Sequence, residues 1–322
     1  MRIVYSFPES LRETKNKIEK IKSQGFDAIQ IPPLEPLKEE DSSVWWKAYQ
    51  PISFNIGNIY GSKEELIAFC RECERIGLRV YADAIINHMG ADNNDSLKPH
   101  DLVDERLKAN PAYWKERIPV TNWHDRSDVI HHCINLPGLN VYHPDVETMI
   151  VDFLNELIDC GITGFRFDAA KSIGLPSEGY RFWPNLIYRL KKYGLFLYGE
   201  VIFEENPRII DEYAEYMHVL GNYDGSNRRN MVKYIETHDT YLSDDALGYS
   251  KYWSMDKIIN DYCNLVKYYE NTLFYIRPSD HSWQDQRIRD AHACARVRRK
   301  WKFDKKRKKC YNIPQSKGFF DE

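Results

Sequence analysis

The sequence of 322 residues has no apolar run that approaches the about 18 residues needed to cross a bilayer, which excludes a membrane-spanning helix. Residues 1–8 begin a strand-like pattern and lack the charged region, apolar stretch and small-residue cleavage site of a secretion signal. We therefore expect a cytoplasmic protein, with no membrane as partner. A secreted protein whose signal has been removed stays the alternative.

Cysteine is also scarce. The seven cysteines are an odd number and are scattered along the chain, which excludes the framework of a disulfide-rich protein and favours a reducing compartment. Cys70 and Cys73 form a C-x-x-C motif, but they lie on the apolar stripe of a predicted helix, and no second pair completes a zinc site. We predict that these two side chains pack in the core.

Neither sign of charge is in large excess, because 45 Lys and Arg residues face 48 Asp and Glu residues and leave a net charge of −3. Such a chain has no overall field that would attract nucleic acid or an anionic membrane, so a neutral substrate is expected. The basic run 296–309 is interpreted as the solvated end of the last helix rather than as an RNA-binding tail. Aromatic residues make up 14% of the chain, which suits stacking against sugar rings or bases.

Short β-like apolar runs alternate with amphipathic helical patterns along the chain, as in parallel βα units. One helix is predicted from Val146 to Ile158, ending before Gly161. Eight strands are predicted, the number of a (β/α)₈ barrel. They lie near 3–6, 27–31, 78–83, 163–167, 195–199, 216–220, 232–237 and 272–276.

Three stretches depart from a regular barrel. Residues 90–145 are rich in Asn, His, Asp and Pro and predict an inserted subdomain B after the third strand. The polar stretch 221–231 is short for a helix, so the sixth unit is a candidate for a barrel unit without one. The expected organisation is a catalytic barrel over 1–89 and 146–303, the insert, and a basic tail over 304–322.

Acidic side chains follow three of the predicted strands: Asp168, Glu200 and Asp239. The carboxyl ends of barrel strands converge on one face, so these residues are expected to be neighbours. Hydrolysis of a glycoside requires two carboxyl groups, which in retaining enzymes lie about 5–5.5 Å apart. A purely structural set of three acids at one rim is the less favoured interpretation.

Electrostatics assign different tasks to these acids. Arg166 lies two residues before Asp168, so both side chains share one face of the strand. Its positive charge is expected to keep Asp168 ionised as a nucleophile. Asp239 is expected to raise the pKa of Glu200, which would then act as the general acid and base.

Four short segments at these strand ends resemble the signature segments of the α-amylase family, glycoside hydrolase family 13. They read DAIINH at 83–88, GFRFDAAK at 164–171, YGE at 198–200 and ETHD at 236–239. The segment WWKAYQP at 45–51 is similar to the family's sugar-stacking segment. The resemblance extends over about residues 3–303, and NWHDR at 122–126 and LFYIRP at 273–278 resemble bacterial α-amylases in particular.

The resemblance implies a role for each matching residue. Asp168 would be the nucleophile, Glu200 the acid and base, and Asp239 the carboxylate that stabilises the transition state. Substrate-binding residues would be Trp45, Trp46, Tyr49, Gln50, His88, Arg166, Lys171 and His238.

Departures from the family pattern concern a structural calcium ion. The resemblance implies a calcium ligand at Asn87, but Gly138 stands where the family has an aspartate and Ser172 where it has a histidine. Calcium binding weakens when carboxylates are removed. We therefore predict no metal site and no required cofactor, with Asn87 hydrogen-bonded to backbone of the 90–145 insert. Asp125, Asp128 or waters are the groups that could rebuild the site.

These observations predict a retaining hydrolase of α-1,4-glucosidic bonds in starch, glycogen or malto-oligosaccharides. A glucan transferase on the same barrel is one alternative, because transfer and hydrolysis share the covalent intermediate. A non-catalytic glucan-binding protein is the other, suggested by the absence of the family's C-terminal β-domain from this sequence. Oligomeric state is not predicted.

Overall fold

Eight parallel strands close into a barrel in the computed structural model, which describes residues 1–202, 204, 206–221, 230–245 and 247–311, with side chains up to 298. Each barrel strand pairs with two neighbours, and β1 pairs with both β2 and β10, which closes the ring. The barrel strands are β1 Arg2–Tyr5, β2 Ala28–Ile31, β5 Arg79–Ala84, β6 Gly164–Phe167, β7 Phe196–Glu200, β8 His218–Leu220, β9 Met231–Tyr234 and β10 Asn271–Tyr275. A small antiparallel pair, β3 Gly57–Asn58 and β4 Gly61–Ser62, lies outside the barrel.

The predicted (β/α)₈ barrel is confirmed, and each of the eight predicted strands is present. The seventh is shorter than predicted because it ends at Tyr234 rather than near 237. Thr237 is the N-terminal cap of the short helix α9, His238–Leu242. The chain has therefore left the sheet by residue 237. The strand end therefore delivers His238 and Asp239 on a helical turn.

Helices follow most strands and cover the barrel. The predicted helix near 146–158 is α6, Pro144–Asp159, which has Pro144 in its first turn and is followed by Gly161 in a left-handed conformation (φ 110°). The other helices that cover the barrel are α1 Leu11–Lys15, α2 Ile18–Ser23, α3 Lys63–Arg75, α7 Phe182–Arg189, α8 Pro207–Tyr216, α10 Met255–Tyr268 and α11 Gln286–Tyr311. Among the helices that the structure describes, none combines the length and apolarity of a membrane span.

The chain between β5 and α6 carries little regular structure. It contains α4 Glu105–Lys108 and α5 Arg126–His131, and isolated bridges such as His88 with Gly138 connect it to the end of β5. The division of the chain at 90 and 145 stays a prediction. Residues 222–229, between β8 and β9, lie outside the described residues, as do 312–322, so the structure does not bear on a missing sixth helix or on the far end of the basic tail.

Candidate active site

The carboxyl ends of β5, β6 and β7 bring acidic side chains together around one arginine. Arg166 is the third residue of β6 and pairs in register with Asp83 of β5. Asp168 follows β6 directly, and Glu200 is the last residue of β7. Because adjacent parallel strands end on the same rim, residues separated by more than a hundred positions become neighbours.

Arg166 is buried, with its side chain 3% exposed, and it contacts three carboxyl groups. Its Nη1 donates to Asp83 Oδ1 at 2.8 Å and to Asp168 Oδ1 at 2.6 Å, and its Nη2 lies 2.9 Å from Glu200 Oε1. One planar guanidinium thus holds Asp168 and Glu200 at its two ends, which fixes both carboxyl groups in orientation.

The electrostatics differ from the expectation that Arg166 keeps Asp168 ionised. Burial raises the pKa of Asp168 well above its usual value; Arg166 opposes this effect, and Glu200, Asp83 and Asp239 add to it. Burial, followed by Glu200, likewise raises the pKa of Asp239 to about 7. Arg166 thus acts in the expected direction, but burial outweighs it, so the expected net effect was wrong. Asp168, Asp239 and their acidic neighbours form one electrostatically coupled cluster.

A strained residue holds Glu200 from the other side. Ala169, next to Asp168, has a left-handed backbone (φ 47°), which is uncommon for a residue other than glycine. Its N–H donates to Glu200 Oε2 at 2.9 Å, so both oxygens of Glu200 are held, one by Arg166 and one by this amide. Sequence reasoning missed this contact, because alanine gives no signal of a positive φ.

Tyr49 and His238 form a stacked pair at the rim. Their ring planes are 3° apart with centroids at 5.0 Å, and the Tyr49 hydroxyl donates to Asp83 Oδ2 at 2.9 Å. His238 Nε2 lies 3.2 Å from Asp239 Oδ1. Burial holds the pKa of His238 well below its usual value, so the ring is neutral at physiological pH. The edge of Trp45 packs against His238 with centroids 5.4 Å apart.

The remaining predicted substrate residues lie around this rim. Trp46 is the exposed one, with 46% of its surface accessible. Gln50 is buried and accepts from the Ala91 amide, and His88 Nε2 is 3.0 Å from the Tyr49 carbonyl oxygen. Lys171 is buried, and its Nζ donates to the Trp123 carbonyl oxygen at 3.1 Å. A cavity at the barrel mouth is lined by Arg166, Glu200, His238 and Asp239 among other residues.

The contacts of Asn87 test one prediction. Asn87 was expected to hydrogen-bond backbone of the insert, and its backbone oxygen does so by accepting from the Leu139 amide at 2.8 Å. Its side chain makes a different contact that the sequence did not suggest: Oδ1 accepts from Lys115 Nζ at 3.4 Å, and within the described part of the chain Nδ2 has no partner. The prediction is therefore confirmed for the backbone, whereas Lys115, which sequence reasoning did not single out, takes the amide oxygen.

Comparison with known proteins identifies the family of this chain. Residues 11–277 match the family "Alpha amylase, catalytic domain". The α-amylase of Clostridium acetobutylicum is 32% identical in an alignment of 275 residues that covers 76% of this chain and 36% of that protein, so the chain spans about a third of that relative's length.

Two solved structures show the same fold. The α-amylase of Geobacillus thermoleovorans, solved with acarbose, has a TM-score of 0.71 and 17% identity over 91% of this chain and 78% of its own. The γ-CGTase of alkalophilic Bacillus clarkii has a TM-score of 0.65 and 14% identity over 89% of this chain and 50% of its own. These likenesses show the fold, and the family match over residues 11–277 leads to the conclusion: the chain belongs to the α-amylase catalytic-domain family.

Proposed function

We propose that this chain is a retaining glycoside hydrolase that cleaves α-1,4-glucosidic bonds in starch, glycogen or malto-oligosaccharides. The observation that carries the proposal is that the guanidinium of Arg166 contacts both Asp168 and Glu200. A retaining mechanism needs two carboxyl groups at a short, fixed separation, and shared contact with one guanidinium supports that interpretation. The α-amylases among its relatives support the same reaction class.

In the first step Asp168, reacting in its ionised form, attacks the anomeric carbon, and Glu200, reacting in its protonated form, gives its proton to the glycosidic oxygen that leaves. The bond to the leaving sugar breaks as the ester to Asp168 forms. In the second step Glu200 takes a proton from water, whose oxygen displaces Asp168 and yields the free reducing end. Both acids regain their starting states, so the cycle is balanced.

Asp239 stands beside this pair as the third carboxyl group. Its pKa of about 7 means that it exchanges its proton near neutral pH, together with the cluster. We assign to it the binding of sugar hydroxyls and the stabilisation of positive charge at the anomeric carbon. His238, neutral and stacked on Tyr49, presents a ring nitrogen beside Asp239 for a sugar hydroxyl.

The predicted substrate-binding residues fall into an exposed group and a buried group. Trp46 presents an open indole face, which suits stacking on a glucose ring outside the cleavage point. Tyr49, Gln50, His88 and Lys171 are buried and contact protein groups, so we assign to them the shaping of the site around the reacting sugar. Trp45 connects the two sets by packing on His238.

The decisive experiment compares Asp168→Asn with Asp159→Asn, an exposed aspartate that pairs with Lys191 far from the rim. The asparagine at 168 cannot form the glycosyl ester, so turnover of maltoheptaose is expected to fall by about 10⁴-fold or more, as for loss of other covalent nucleophiles. Asp159→Asn should retain full activity. A folded Asp168→Asn variant with undiminished turnover would reject the assignment.

Glucan transfer is the second candidate, favoured by the likeness to a CGTase, a cyclomaltodextrin glucanotransferase. Both reactions pass through the same ester and differ in whether water or a sugar hydroxyl breaks it. Product analysis on maltoheptaose separates them. Chains longer than the substrate indicate transfer, shorter chains alone indicate hydrolysis, and no reaction indicates the non-catalytic glucan-binding alternative.

For the compartment we propose the cytoplasm, supported by the cysteines. The six in the described part of the chain, including the Cys70 and Cys73 pair, are free thiols. Burial raises the pKa of Cys73 to about 12, so it is unreactive, as the predicted packing role requires. Cell fractionation tests the location, and recovery from the culture medium would contradict it.

A further inference from the structure

A lysine of the inserted segment is half-buried against three neutral oxygen atoms. Lys115 Nζ donates to the Ser172 carbonyl oxygen at 3.0 Å, and to Asn87 Oδ1 and the His132 carbonyl oxygen at 3.4 Å each. Among the described residues no carboxylate pairs with it, and its withdrawal from water lowers the pKa of its ammonium to about 8. Withdrawing a cation from water without a counter-ion costs free energy, so its retention calls for an explanation.

The three oxygens come from separate parts of the fold. Asn87 follows β5, Ser172 ends the short 3₁₀ helix Ala170–Ser172 after β6, and His132 follows α5 in the insert. The ammonium therefore joins the insert to two segments that leave the catalytic rim. Its backbone is anchored as well, since the Lys115 amide donates to the Gly138 carbonyl oxygen at 2.8 Å.

Gly138 makes room for this side chain. A Cβ atom placed on Gly138 would lie 2.8 Å from Lys115 Cδ and 3.3 Å from its Cγ, closer than ordinary contacts allow. The stem of Lys115 thus passes through the space that a side chain at 138 would occupy. An aspartate at 138, the residue implied by the resemblance, would require the Lys115 stem to leave its present position.

The residues present do not suit a calcium ion. Calcium takes six to eight oxygen ligands and gains affinity from carboxylates, whereas the three oxygens here are neutral and already accept from Lys115. Asp125 caps α5, and Asp128 accepts from Thr121 and Asn122 and contacts His132. Within the described part of the chain, no group of three or more His, Cys, Asp and Glu side chains could hold a metal.

From this geometry we infer that the Lys115 ammonium is a built-in cation that replaces a divalent metal between the insert and the catalytic rim. Arg126, also in the insert, donates from Nη1 to the Lys171 carbonyl oxygen at 2.7 Å. Two cations therefore hold the consecutive carbonyls of Lys171 and Ser172. Lys115 is a positioning residue, because the turn it holds follows Asp168 and carries Lys171.

The first test measures the melting temperature of the whole chain in EDTA and in excess calcium. We expect the same value in both conditions, because the position is filled by the protein itself. A large decrease in EDTA that calcium reverses would overturn the inference.

The second test compares Lys115→Met with Lys192→Met, an exposed lysine. Methionine keeps the stem but leaves the three oxygens without a donor, so the melting temperature is expected to fall by ~5 °C, without recovery in calcium. Well below that temperature KM for maltoheptaose should rise several-fold with kcat nearly unchanged, because Arg166 still holds Asp168 and Glu200. Wild-type melting and KM would overturn the inference.

The third test exchanges the cation and does not depend on Lys115→Met folding. Lys115→Ala removes the lysine stem, and Gly138→Asp adds a carboxylate beside Asn87 and the carbonyl oxygens of His132 and Ser172. We expect calcium titration to detect one site and to raise the melting temperature, with Lys115→Ala alone as the matched control. A folded double variant that shows no calcium site in the titration and no change of melting temperature with calcium would overturn the inference. The KM measurement rests on the proposed function, whereas the calcium responses in the first and third tests do not. The inference and the proposed function can therefore fail separately.

Discussion

Two cations near the catalytic rim are surrounded by different kinds of oxygen. The buried Arg166 contacts the carboxyl groups of Asp83, Asp168 and Glu200, whereas the half-buried Lys115 contacts two backbone carbonyls and the amide oxygen of Asn87. The first site gathers several acidic groups, and the second holds a positive charge without a carboxylate partner among the described residues. Burial is the main cause of the pKa shifts at both sites, since it raises the pKa values of Asp168 and Asp239 and lowers that of Lys115 to about 8.

This difference separates Arg166, which contacts the proposed catalytic acids, from Lys115, which we propose to take the place of a metal ion. The guanidinium of Arg166 stays charged at any relevant pH and orients two acids at once, which a point charge cannot do. The ammonium of Lys115 supplies charge and three hydrogen bonds to groups that do not react. We therefore expect substitutions at the two positions to differ in kind.

The largest effect is expected for Arg166→Met. It leaves three buried carboxyl groups without their cation, and breaking a buried ion pair in this way costs about 3–5 kcal/mol of the free energy of unfolding. Activity should be lost as well, because Asp168 and Glu200 are no longer held together. Denaturant unfolding and maltoheptaose turnover check both, and Arg166→Lys should restore stability in part but little activity.

Glu35 extends the comparison to a buried acid with no cation. Its Oε1 accepts from the Ile85 amide, its Oε2 has no partner among the residues that the structure describes, and burial raises its pKa to about 8. The unfolded chain ionises Glu35 near pH 4.5, whereas the fold keeps it protonated up to about pH 8. Its contribution to stability is therefore complete below pH 4.5 and is lost as the pH rises to 8.

Glu35→Gln should remove this loss, since an amide does not ionise. The gain in unfolding free energy at pH 7 is expected to approach ~3 kcal/mol, about 1.4 kcal/mol for each pH unit from 4.5 to 7. Denaturant unfolding at pH 5 and pH 8 measures it. A variant that shows the same decline with pH as the wild type would place the titrating group elsewhere.

Gly138→Ala sharpens the comparison at the Lys115 side with a smaller effect. The added methyl meets the Lys115 stem and should destabilise the protein by about 1–3 kcal/mol, as overpacking does. In a Lys115→Ala background the same methyl has room, so the two effects should not add. Additive losses in a thermal or denaturant double-mutant cycle would contradict the contact.

The smallest effect is expected at the edge of the site. Trp46→Ala removes an exposed indole and should raise KM for maltodextrin a few-fold, about 1 kcal/mol of binding, with stability unchanged. Trp45→Ala should also lower the melting temperature, because that ring packs on His238 and Tyr49. Steady-state kinetics with thermal melts distinguish the two, and an unchanged KM in both variants would remove stacking from the site.

The sequence by itself determined the barrel, because strand and helix patterns depend on local periodicity and turn residues such as Gly161, and the four signature segments identified the acids. Tertiary structure alone decided the electrostatics. Arg166 was expected to keep Asp168 ionised, but burial, with the neighbouring acids, outweighs it and raises the pKa of Asp168, and neither burial nor those neighbours are visible from spacing along a strand.

Lys115 shows the same limit most clearly. Nothing in its neighbourhood along the chain marks it, since its partners come from 87, 132 and 172. The sequence indicated that calcium ligands were missing at Gly138 and Ser172, but the identity of their replacement required the fold. A site for a cation is formed by the oxygens that surround it, and here those oxygens come from separate segments that only the three-dimensional packing brings together.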